Sequence, residues 1–119
     1  MNNTYMSGNV GKDPELRTTT SGVKVATYSI ATYRANPKEK DKPITDWFNV
    51  VAWGDQADLV MANIKKGSKI LVAGKFQTRN YDDKDGKKVY VTELMQSDFW
   101  LAPKKEDTGS THDESELPF

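Results

Sequence analysis

Apolar and polar positions alternate along much of the first hundred residues. Residues 23–34 (VKVATYSIATYR) are rich in β-branched and aromatic types and stop short of Pro37, and residues 44–53 (ITDWFNVVAW) alternate clearly. Both patterns predict strands, because side chains two apart lie on the same face of a pleated chain. Further extended runs cover residues 69–81 and 87–101, and an earlier strand at about 3–10 runs into GKDPELR. Gly74 interrupts the run at 69–81 and predicts a bulge or bend there. Asp85-Gly86 predicts a tight hairpin of the I′ type, and a second hairpin falls near Ser21-Gly22.

One segment departs from this period. In residues 55–66 (DQADLVMANIKK), Ala57, Val60, Met61 and Ile64 recur at helical spacing. Asp55 can cap its start, Lys65 and Lys66 fall in its last turn, and Gly67 can end it in a left-handed conformation. The predicted order is three strands, one helix, two strands. This is an all-β fold with one helix: a five-stranded OB-fold barrel with the helix between strands 3 and 4.

Alternation also sorts the side chains. Trp47, Asn49, Val51 and Trp53 share one face of the third strand, and Phe48, Val50 and Ala52 share the other. The second set suits a core. The first, with two indoles beside an asparagine, does not. Lys75, Gln77, Arg79 and Tyr81 face away from Ile70, Val72 and Phe76. One surface is therefore expected to combine Trp47, Trp53, Tyr81 and Tyr33 with Lys75, Arg79 and Arg34, and Lys66 joins them as a further candidate cation. Such a mixture suits a single-stranded nucleic acid: rings stack on base faces that a duplex hides, while cations neutralise phosphates and release counterions. The competing reading keeps the tryptophans in a core or a subunit interface. Trp100, within Phe99-Trp100-Leu101, is read as packing at the end of the barrel, and residues 37–42 (PKEKDK) as a solvated loop.

Charge sharpens the picture. The 119 residues carry no net charge, yet residues 1–103 hold fifteen basic and twelve acidic side chains, whereas residues 106–119 hold five acidic and no basic ones. A basic body with an acidic arm is the expected organisation. Composition changes near Pro103. From Lys104 to Ser115 there is no large apolar residue, so that segment is expected to be disordered, and it ends in the apolar tip Leu117-Pro118-Phe119. The predicted division is residues 1–103 as the binding domain and 104–119 as a tail.

The absence of cysteine removes disulfides, thiolate metal sites and cysteine nucleophiles from consideration. No run approaches the length of a membrane span, and no secretory signal is apparent at the N-terminus, so a cytoplasmic protein is expected. The only histidine, His112, falls in the tail, and neither Tyr81 nor Thr92 supplies the first or last carboxylate that a calcium loop around Asp83 would need. No enzymatic activity, cofactor or metal is expected.

Three segments resemble the bacterial single-stranded DNA-binding protein family: GKDPELR (11–17), IKKGSKILVAGKFQTR (64–79), and the acidic tail ending in LPF. The Trp47–Trp53 spacing, with Gly54 following, is similar as well, and the resemblance covers nearly the whole chain. It implies a nucleoid-associated protein, bacterial or phage-encoded. It further implies a homotetramer that wraps single-stranded DNA without sequence preference and without a cofactor. By the same resemblance Trp47 and Trp53 occupy binding-aromatic positions, and Tyr81 stands where the family carries a tryptophan. The resemblance also implies that Leu117, Pro118 and Phe119 dock into apolar pockets on replication, recombination and repair proteins, with Asp113, Glu114 and Glu116 meeting basic rims. The chain departs from the family in a shorter loop between the second and third strands, whose usual tryptophan is missing; Tyr33 or Arg34 is the candidate substitute. Gln77 stands at a common arginine position and Asp55 at a common lysine one. Two rival readings are a primosome-type OB accessory protein and an RNA-binding OB module.

Overall fold

The computed structural model describes residues 1–103 of the protein. Six strands and one helix form in the order β1 (Thr4–Val10), β2 (Glu15–Thr18), β3 (Lys24–Arg34), β4 (Ile44–Trp53), α1 (Asp55–Asn63), β5 (Lys69–Asp82) and β6 (Lys88–Leu101). The sheet order is β1-β5-β6-β4-β3-β2, and pairing of Asn9 with Ala31 and Val10 with Ile30 joins β1 back to β3. That contact closes a five-stranded OB barrel, and β4 and β6 form its one parallel pairing. Closure removes the edges that open sheets expose. The additional short strand, β2, pairs with the first residues of β3 outside the closing contact. Its four residues are too few for alternation to separate them from the GKDPELR connection.

The core follows the alternation. Ala26, Tyr28 and Ile30 of β3, Val50 and Ala52 of β4, Val72 of β5 and Leu94 of β6 are buried together with Val10. Phe48 and Phe76 meet at the rim with ring centroids 6.4 Å apart. Helix α1 closes one end through Ala57 and Val60, with Ile64 just beyond it. Inside this region Tyr28 donates its hydroxyl proton to Gln96 Oε1, and Gln96 Nε2 donates to Gln56 Oε1 at 2.8 Å. The pair of bonds links β3, β6 and α1, and among the described residues no buried side-chain nitrogen or oxygen lacks a partner. Burial of Tyr28 disfavours its phenolate and pushes its pKa well above the ordinary value.

Several local expectations change. The helix ends at Asn63 and not at Lys66, so the two lysines lie in the following turn. Its N-cap is Gly54, at φ 60°, without a side-chain cap; Asp55 is the first helical residue. Met61 is 41% exposed, because the buried stripe is only as wide as the barrel mouth that it covers. The hairpin at Asp85-Gly86 is not of the I′ type, which needs two residues at positive φ. Only Gly86 has one (φ 78°), and the loop spans Asp83 to Lys87, closed by Asp83 N–H to Lys87 O at 2.9 Å. The Asp83 carboxylate accepts from the amides of Asp85 and Lys87, a structural use that accounts for its place in this acidic turn. The irregularity at Gly74 is present as a register shift between Ala73 and Gly74. Among the described residues no helix is long and apolar enough to cross a membrane.

Candidate nucleic-acid interface

Cross-strand register assembles one outer face across five strands. Directly paired residues share a side of the sheet, and the pairs are Arg17 with Val25, Val25 with Trp53, Ala31 with Trp47 and Tyr33 with Thr45. Val51 of β4 pairs with Met95 of β6, which pairs with Lys75 of β5. Continuing outward along β5 and β6, Gln77 pairs with Glu93, Arg79 with Val91 and Tyr81 with Val89. Trp47, Trp53, Tyr33 and Tyr81 thus stand on one surface, at 58%, 47%, 58% and 47% exposure respectively. Rings this exposed are not core residues. The reading of Trp47 and Trp53 as core fillers is excluded on that observation.

A groove of about 320 Å³ crosses the middle of this face. Val25 and Val51 are almost fully covered there and line it, together with Trp53, Met95, Gln77, Arg17, Arg79 and Glu93. The Arg79 guanidinium carbon lies 5.8 Å from the Tyr81 ring centroid, and Arg79 Nε donates to Glu93 Oε1 at 2.7 Å. That hydrogen bond, with the attraction of the carboxylate, raises the Arg79 pKa above its ordinary value. At the other end of the face Trp47 is seated on backbone: a Cβ on Gly11 would collide with its six-membered ring. Gly11 is held there by Gly11 N–H to Ser29 O at 3.1 Å.

The remaining candidates separate. Lys75 is exposed on the face, with no carboxylate within salt-bridge distance among the described residues. Lys66 lies in the turn after α1, where its amide donates to Asp13 Oδ1 at 2.8 Å and Gly67 N–H donates to Val10 O. It therefore sits beside the Gly11 segment that carries Trp47. Arg34 does not share the surface of Tyr33. It falls on the opposite alternation and its Nε donates to Asp46 Oδ2 at 2.8 Å, so the expected grouping with Trp47 and Arg79 is corrected. Trp100 also departs from expectation. It is 49% exposed, on the outer side of the barrel wall, whereas Phe99 is the residue that packs against the core. Asp113, Glu114, Glu116, Leu117, Pro118 and Phe119, and the expected disorder of residues 104–119, lie outside the described residues.

Arg17 escapes the sequence pattern, because without a separate strand no alternation can be assigned to it. The turn that decides its facing is one residue longer than Ser21-Gly22: Thr19 N–H donates to Val23 O at 2.8 Å, and counting outward from that pair sets Thr18 opposite Lys24 and Arg17 opposite Val25. Glu93 escapes as well, since the run at 87–101 does not by itself decide which way its residues face.

An OB barrel whose open face carries exposed rings and cations defines a binding module of the oligomer-recognising OB class. The comparisons narrow this. The description "Single-strand binding protein family" matches residues 1–101, and the chain belongs to that family. It is 45% identical over 95 residues to the single-stranded DNA-binding protein of Bacillus cereus, covering 80% of this chain and 56% of that one. It is 40% identical over 108 residues to single-stranded DNA-binding protein 1 of Staphylococcus aureus, covering 90% and 69%. The chain thus spans just over half the length of its Bacillus relative. Among solved structures it resembles the Plasmodium falciparum SSB complex with ssDNA, with TM-score 0.76 and 29% identity over 87% of this chain and 96% of that one.

Proposed function

We propose that the protein binds single-stranded DNA without sequence preference and protects it during replication, recombination and repair. The observation that carries this reading is the shared outer face: Trp47, Trp53, Tyr81 and Tyr33 exposed alongside Arg17, Lys75 and Arg79. Every base presents a π-face, so stacking is indifferent to sequence. It contributes roughly 1–3 kcal/mol per base, a figure known from single-strand-binding domains of this same class. Arg17 and Lys75, the cations on the face that are unpaired among the described residues, hold the backbone and make binding salt-dependent. Arg34, tied to Asp46, is left out of this surface, and Lys66 extends it beyond Trp47.

The protein acts as a homotetramer in this reading. Supporting it is a second, mostly apolar groove of about 600 Å³, where Leu71, Trp100 and Leu101 are exposed and which reaches Ala31 and Tyr33 at the edge of the binding face. The acidic tip, with Asp113, Glu114, Glu116, Leu117, Pro118 and Phe119, recruits replication and repair proteins.

The test is intrinsic tryptophan fluorescence during titration with poly(dT), repeated with duplex DNA, with poly(U) as competitor, and at rising salt. Quenching by the single strand, absent with duplex and weakened by salt, is the expected result. No quenching, or an equal response to duplex, would overturn the stacking face. Tighter binding of poly(U) would favour the RNA reading. Removal of residues 113–119 leaves DNA affinity equal or slightly higher and abolishes capture of partners; a large loss of DNA binding would contradict the division of roles. Sedimentation of the full chain tests the tetramer.

A further inference from the structure

Among the described residues, Glu93 is the only acidic one that lines the central groove. A carboxylate there repels the phosphates that the neighbouring cations attract. It is also well covered, with its side chain 12% exposed against 56% for Arg79. The carboxylate meets Nε, one edge of the guanidinium, and the guanidinium carbon stays 5.8 Å from the Tyr81 ring centroid. Arg79 is thus fastened along one edge and aligned with a ring, and its charge is matched at 2.7 Å. Arg17, Lys75 and Lys66 differ: among the described residues none has a carboxylate within salt-bridge distance.

We propose that Glu93 is a positioning and specificity-determining residue, which holds Arg79 beside Tyr81 as an extension of the stacking surface and withholds its charge from the DNA backbone. The division of labour follows from the geometry. Arg79 offers a flat π-face next to an aromatic ring, as guanidinium groups do in cation–π stacking. Phosphate neutralisation falls to Arg17, Lys75 and Lys66. A strand passing the groove is therefore gripped there by its bases more than by its charge. This inference rests on the proposed binding face. A plain strand-to-strand ion pair would stabilise the β5–β6 hairpin and would leave the salt dependence of binding untouched.

The experiment is the salt dependence of poly(dT) affinity for the full chain and for three variants: Glu93→Gln, Arg79→Met and the double substitution. Glutamine keeps the size and the acceptor oxygen for Arg79 Nε and removes only the charge. Each cation that newly engages a phosphate steepens the log–log salt slope by about 0.7 for a single strand. Glu93→Gln should steepen the slope by that amount, so that affinity falls about 2- to 3-fold more than in the parent between 50 and 200 mM salt. Arg79→Met alone should lower affinity with the slope nearly unchanged, and in the Glu93→Gln background it should return the slope to the parental value. An unchanged slope in Glu93→Gln, or a slope flattened by about 0.7 in Arg79→Met alone, would overturn the proposal. If Glu93→Gln does not fold, the Arg79→Met slope still decides. Absence of tryptophan quenching in the parent protein would instead reject the binding face itself.

Discussion

Trp47→Ala is the substitution that bears most directly on the binding face. The ring is 58% exposed, so it is only partly covered by the protein. A tryptophan has at most about 250 Å² to bury, and the covered part, roughly 100 Å² at about 25 cal/mol per Å², limits the stability loss to about 2.5 kcal/mol. The loss of one stacked base is about 1–3 kcal/mol, or roughly a 5- to 150-fold weaker Kd for a short oligo(dT). Gly11→Ala probes the same ring without touching it. A Cβ at Gly11 would collide with the six-membered ring of Trp47, and the exposed indole can yield by rotating away. The variant should stay folded, lose part of the affinity that Trp47→Ala loses, and have no further effect once Trp47 is alanine. Oligo(dT) titrations by fluorescence anisotropy, with urea melts of each variant, supply both measurements. Unchanged affinity in Trp47→Ala would refute the argument, as would a stability loss well beyond the surface estimate. Additive effects of the two substitutions would show that Gly11 does not act through the ring.

Other expectations are more local. Gly74→Ala should destabilise the barrel by about 1–3 kcal/mol in urea melts, because the added Cβ would meet the backbone carbonyl of Met95, which cannot rotate aside. Arg17→Met should flatten the salt slope of poly(dT) binding by about 0.7, with little change in melting temperature; an unchanged slope would remove Arg17 from the interface. Tyr28→Phe removes the hydroxyl donor to Gln96 and should cost about 1–2 kcal/mol. The Tyr28 pKa is raised on folding, so above pH ~10 the unfolded chain gives up a proton that the folded one keeps, and stability falls as pH rises. That alkaline decline should be shallower in Tyr28→Phe, as read from urea melts at about pH 8 and about pH 10.5.

Most of the architecture could be read from period alone. Strands β3, β4 and β5 each show a compact apolar side because one side meets the core, and α1 shows its apolar stripe for the same reason, whereas β6 has apolar residues on both sides (Leu94 inward; Val89, Val91 and Met95 outward). The same alternation put Trp47 and Trp53 on one face and Lys75, Arg79 and Tyr81 on another, since the facing of a residue within a strand is a local property. Tertiary structure decided what depends on pairing. Only the register through β6 joins those two strands into one surface, and only the pairing of β2 and β4 with opposite edges of β3 puts Arg17 on the face of Trp53, with Val25 between them. Arg34 looked equivalent to its neighbour Tyr33, yet the one-residue step turned it to the other side and gave it Asp46 as a partner. Met61 and Trp100 fit an apolar pattern and remain exposed, because burial depends on whether another element arrives to cover a side chain. The contact between Glu93 and Arg79 lies between residues fourteen positions apart. Hydropathy marks each as charged, but whether a charge is matched or left open to a ligand is set only when folding fixes its nearest neighbour.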